Sequence, residues 1–141
     1  MPLRSKKTQE RRCLKLFQDA FADFPAGHVV EWATPDFLIR SASSYIGIEV
    51  AEIFLADAVA SGPGCGAELL QKMFDRNSHT YQESRANCDQ VWLLLLMSDQ
   101  NVVNCRDEAY SHVYQTTFDR AFLLENEHKL TELKAHRPQG G

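Results

Sequence analysis

The chain has 141 residues, 44% of them hydrophobic and 24% charged, the size and make-up of one globular domain whose core needs neither disulfides nor a structural metal. No run approaches the ~20 apolar residues that cross a bilayer, and the basic start is not followed by the apolar core of a signal peptide, which predicts a cytoplasmic protein without a membrane span. The net charge of −4 is unevenly spread: residues 1–15 carry six basic residues against one acid, an end suited either to phosphate contact or simply to solvation.

In chain order, residues 8–24 read as an amphipathic helix, because Cys13, Phe17, Ala20, Phe21 and Phe24 recur at steps of three or four. Glu10 lies on that same stripe. Pro25-Ala26-Gly27 breaks the helix. Three strand-like runs follow, His28–Ala33, Asp36–Arg40 and Tyr45–Phe54, with Ser41-Ala42-Ser43-Ser44 as a hairpin loop between the last two. Residues 56–66 form a loop of small residues. A second helix is predicted over Ala67–Arg85, with Leu70, Met73, Phe74, Asn77 and Tyr81 along one side. Val91–Met97 is a continuous apolar run, the pattern of a strand buried on both faces. A short helical stretch near Asp107–Tyr114 and a strand over Phe118–Leu124 come next. The charged tail from Glu125 reads as a helix that frays at Pro138. The whole is a single α/β domain, residues 1–141, in which helices cover a small central sheet; 1–7 is a flexible basic N-terminus and 125–141 a charged tail.

Several familiar chemistries find no support. Cys13, Cys65, Cys88 and Cys105 show no close ligand pair, so reduced, mostly buried thiols are expected rather than a zinc site. The five histidines are equally scattered. Gly62-Pro63-Gly64-Cys65-Gly66 lacks the pattern of a phosphate loop and reads as a connector. No serine-hydrolase elbow is present. Trp32 and Trp92 are expected in the core or at its edge rather than as stacking platforms.

The informative segment is Pro35-Asp36-Phe37-Leu38-Ile39 followed by Ile46-Gly47-Ile48-Glu49-Val50-Ala51-Glu52-Ile53. A four-residue hairpin loop pairs Arg40 with Tyr45, and counting back along both strands sets Asp36 opposite Glu49. Directly paired Cβ atoms lie about 4.5–5.5 Å apart, where like charges destabilise a sheet. A bound cation reconciles them, and Mg²⁺ takes one or two carboxylates plus waters and phosphate oxygens. A register slip of one residue would separate the acids onto opposite faces. The competing reading leaves both acids at sheet edges in water.

The helix, three strands, helix and strand, with Pro-Asp opening the second strand and Glu in the third, resemble the PD-(D/E)xK nuclease superfamily over roughly residues 8–97. Ile-Gly-Ile-Glu-Val-Ala-Glu-Ile, with Phe-Asp-Arg-Ala-Phe-Leu-Leu downstream, also looks like a branch of uncharacterised bacterial proteins of this type. The resemblance implies a restriction-endonuclease-like αβββαβ core with a central mixed sheet flanked by helices. It implies a Mg²⁺- or Mn²⁺-dependent nuclease acting on nucleic acid, DNA before RNA, and leaves a homodimer open. It assigns metal ligation to Asp36, Glu49 and the carbonyl of Val50, with Glu10 assisting unless it faces solvent. Where the superfamily has its lysine this chain has Ala51, which can neither orient a water nor stabilise phosphate charge. Lys72, with Gln71 beside it, is the candidate substitute, although Lys72 falls off the apolar stripe of its helix as an ordinary surface lysine does. Glu52 alternates to the opposite face from Glu49. The alternative to a working nuclease is a protein that keeps the fold and binds nucleic acid or a protein partner without cutting.

Overall fold

The computed structural model describes residues 6–32, 34–41, 44–53, 66–97, 106–125 and 129–137. The connector at 56–65 and the outer ends of both tails lie outside them. Helix α1 (Lys6–Ala20) leads into β1 (His28–Glu31), β2 (Phe37–Arg40) and β3 (Tyr45–Ile53). Helix α2 (Gly66–Arg85) and β4 (Gln90–Met97) follow, then α3 (Arg106–Ser111), β5 (Val113–Gln115), β6 (Arg120–Glu125) and β7 (Lys129–His136). The strands form one seven-stranded mixed sheet in the order β1-β2-β3-β4-β6-β7-β5, flanked by helices. Among the described residues, no helix is long and apolar enough to cross a membrane.

Strand β4 lies in the middle, parallel to β3 on one side and to β6 on the other. Its seven residues Val91–Met97 are all buried, as a run of apolar residues without alternation requires. Two separate cores pack on the two faces. On one, Cys13, Leu14 and Phe17 of α1 meet Ile46, Ile48, Trp92, Leu94 and Phe122. On the other, Leu70, Met73 and Phe74 of α2 meet Leu38, Leu93, Leu95 and Leu123, with Ala109 of α3 in the same cluster. Cys13 and Cys88 are buried thiols.

Three segments and one tryptophan depart from the sequence reading. Helix α1 ends at Ala20 and not at Phe24; Phe21 and Phe24 keep contact with Phe17 as a stack and an edge-to-face pair after the chain has left the helix, so the apolar spacing outlasts the helix itself. The predicted helical stretch stops at Ser111, and Val113–Gln115 forms a three-residue strand paired with β7, too short for a period to register. The tail is a strand, not a helix: Leu130 and Leu133, three apart as on a helix, bury on opposite faces of the sheet. Trp92 is in the core as expected, whereas Trp32 is exposed.

Candidate functional site

The β2–β3 hairpin carries the site. Its register pairs Arg40 with Tyr45 and Phe37 with Ile48, and Ser41 N–H and Oγ both donate to Ser44 O across the loop at 3.0 Å. Asp36, one residue before β2, therefore stands in the row of Glu49. Leu38 packs into the α2-side core while Phe37 and Ile39 pack into the α1-side core. By alternation, Asp36 and Glu49 share the α2 face.

Gly47 lies two residues before Glu49 on the same face of β3. A Cβ there would lie 2.6 Å from Pro35 Cγ and 2.8 Å from Cys88 Sγ, so only glycine admits Pro35 and Cys88 onto the strand. Pro35 and Cys88 thus pack on β3 two residues before Glu49. The Asp36 carboxylate is then fixed by Val50, whose N–H donates to Oδ2 at 2.8 Å. Ser84 fixes the second acid: its Oγ donates to Glu49 Oε1 at 2.9 Å. The sequence reading missed Ser84, yet it continues the α2 stripe one step past Tyr81 and is fully buried.

Both acids of the pair and Glu10 are withdrawn from solvent, with Asp36 8%, Glu49 6% and Glu10 5% exposed. Glu49 is pushed up to about 8, first by burial, then by the negative charge of Asp36; Glu10 adds to the rise, and the Ser84 hydroxyl opposes it. A hydrogen bond between the two carboxyls also favours the protonated form of Glu49. The neighbouring Cys88 thiol is pushed up to about 11, chiefly by burial and by Asp89. Two carboxyls that share a dry site behave this way because both cannot ionise without a counter-charge.

The structure thus brings Asp36 and Glu49 together, with Val50 tied to the first. Glu10, on α1, is buried and near enough for its charge to reach Glu49. Among the described residues, no group of three or more His, Cys, Asp or Glu side chains is arranged to hold a metal ion, so the site is a carboxylate pair with a third acid at longer range. Ala51 packs against the α2-side core. Glu52 faces the other way and accepts from Gln9 Nε2 at 2.6 Å.

Gln71 and Lys72 are not brought to the pair. Ser84 marks the level of Glu49 on α2, and Lys72 lies twelve residues nearer its N-terminus, roughly 18 Å along the axis. Lys72 is exposed there. Gln71 clamps the edge strand instead: Gln115 N–H donates to its Oε1 at 3.0 Å, and its Nε2 donates to Gln115 O at 2.9 Å. Comparison with protein-family models, with characterised proteins and with solved structures gives no match for this chain.

Proposed function

We propose that this protein is a divalent-metal-dependent nuclease with a restriction-endonuclease-like core, hydrolysing phosphodiester bonds in DNA. The observation that carries the reading is the buried pairing of Asp36 with Glu49 across adjacent strands, on one face of the sheet. Two carboxylates and a strand carbonyl match the small number of protein ligands that Mg²⁺ takes, its remaining positions going to water and phosphate oxygens. Asp36, Glu49 and the carbonyl of Val50 would hold Mg²⁺ or Mn²⁺, and Glu10 would tune the pair through its charge. When bound, such a metal polarises a phosphoryl oxygen and lowers the pKa of a bound water.

The chain's own groups prepare that site. Val50 N–H holds one oxygen of Asp36 and Ser84 holds one oxygen of Glu49, so both carboxyls are oriented by the chain, and a metal would replace the proton they share. The order of α1, β1 to β3, α2 and β4 along the chain supports this reading.

The departure at Ala51 favours a second reading, in which the fold binds nucleic acid without cutting it. One experiment separates them. The purified protein is incubated with supercoiled plasmid and with single-stranded DNA, with Mg²⁺ or Mn²⁺, beside Asp36→Asn. A nuclease nicks or degrades DNA only with metal and loses this in Asp36→Asn; cleavage unchanged in the variant refutes the site. Metal binding by calorimetry without any cleavage supports the second reading.

A further inference from the structure

Beside the carboxylate pair, on the same face of the sheet, runs a groove of about 290 Å³ lined by Val30, Trp32, Leu38, Arg40, Tyr45 and Asn87. Its position follows from the register. Val30 pairs with Leu38, Arg40 pairs with Tyr45, and Trp32 N–H donates to Asp36 O at 2.9 Å. Trp32, Asp36 and Glu49 therefore form one row across three strands, and Trp32 is the member of that row that lines the groove. Arg40 is four residues along β2 from Asp36, roughly 13 Å at strand rise.

The lining is unusual for a surface. Trp32 is 47% and Tyr45 43% exposed, two large rings each presenting part of its surface to solvent beside an apolar floor. Arg40 and Asn87 are exposed at its rim. Rings bordering a groove, with a guanidinium at one end, are what single-stranded nucleic acid binds: bases stack on the rings and the cation meets a phosphate. The volume is at the lower edge of ligand clefts, which run from roughly 300 to 1,000 Å³, a size suited to one base. A duplex would also keep its base faces from the rings. The apolar floor of Val30 and Leu38 suits the C5 methyl of thymine, which points to DNA.

We infer that this groove is a base-stacking subsite for single-stranded DNA, in which Trp32 and Tyr45 hold a thymine-type base flanking the bond presented to Asp36 and Glu49, and Arg40 neutralises a neighbouring phosphate. The inference rests on the nuclease reading for the neighbouring bond, but the subsite binds by itself.

The test is fluorescence anisotropy of a labelled thymidine 12-mer with the full chain in EDTA, where no metal-dependent cleavage occurs. Trp32→Ala and Tyr45→Ala each weaken binding about five-fold or more, the low end for loss of one base–aromatic stack. Arg40→Ala weakens it and reduces the salt dependence by about one phosphate contact. The protein's own fluorescence falls on binding in the wild type and not in Trp32→Ala, where only buried Trp92 remains. Failure to bind the 12-mer, equal affinity in Trp32→Ala, or tighter binding to the duplex overturns the subsite; tighter binding to a uridine 12-mer overturns the assignment to DNA. Trp32-dependent binding in a protein that never cleaves keeps the subsite and removes the nuclease, and cleavage with unaltered Trp32→Ala binding does the reverse.

Discussion

Glu49→Gln is expected to make the protein more stable at pH 8, and to remove most of the pH dependence of its stability between pH 5 and 8. In the native protein the Glu49 carboxyl is pushed up to about 8 from an ordinary value of 4.5, by burial first and by Asp36 second. The folded chain therefore keeps a proton that the unfolded chain releases above about pH 4.5. Stability from this group is fully present below that value and is lost as pH rises towards 8. Each pH unit between the two values costs about 1.4 kcal/mol, and the loss by pH 8 is on the order of 4 kcal/mol. That is a large fraction of a typical domain's stability of roughly 5–15 kcal/mol.

Glutamine retains the contacts while removing the charge. Its Oε1 accepts from Ser84 as Glu49 Oε1 does, and its Nε2 donates to Asp36 where the protonated carboxyl would. Urea unfolding of both proteins without metal, at unit steps from pH 5 to 9, gives the difference curve. Wild type and Glu49→Gln should be similar near pH 5 and diverge by a few kcal/mol at pH 8. Under the metal reading, Mg²⁺ or Mn²⁺ stabilises wild type at the high-pH end, because a ligand for the folded state adds its binding free energy, and leaves Glu49→Gln unchanged. Parallel pH profiles for the two proteins without metal would show that the pair is not held in a dry, mutually repulsive site, and the reasoning about its geometry would fall with it.

Gly47→Ala should destabilise the fold by roughly 1–3 kcal/mol, as overpacking does, since the new Cβ lands 2.6 Å from the Pro35 ring and 2.8 Å from Cys88 Sγ; thermal unfolding measures this, and an unchanged midpoint would refute the seat proposed for Pro35. Gln71→Ala should cost about 1–2 kcal/mol through loss of its two bonds to the Gln115 backbone, within the usual range for hydrogen bonds. Neither it nor Lys72→Ala should change cleavage by the folded protein; a ten-fold loss in Lys72→Ala at unchanged stability would return that lysine to the site.

Most of the sheet was legible because its strands follow simple burial rules. The continuous run Val91–Met97 announces a central strand, and it lies between two parallel neighbours. What escaped was structure whose spacing misleads. Phe21 and Phe24 keep a helical interval after the helix has ended, because they stack around Phe17 rather than continue its turn. Leu130 and Leu133 mimic a helix because β7 buries residues on both faces. The case of Gln71 has the same root: β5 is three residues long and leaves no period in the sequence, so the backbone partner of this amide cannot be read there.

The juxtaposition of Asp36 and Glu49 was legible for a physical reason, namely that a four-residue loop leaves a hairpin little freedom of register. The surroundings of the pair were not, because they depend on Gly47, whose missing side chain is the means by which Pro35 and Cys88 reach the strand. The hairpin register aligns Asp36 with Glu49, and Pro35 and Cys88 pack on β3 beside them. A hairpin that presented the same two acids to solvent would bear their repulsion cheaply and would gain little from a cation. Here the repulsion is relieved by a proton on Glu49 up to about pH 8, and a divalent ion that displaces this proton must bind two carboxyls already held in place by Val50 and Ser84.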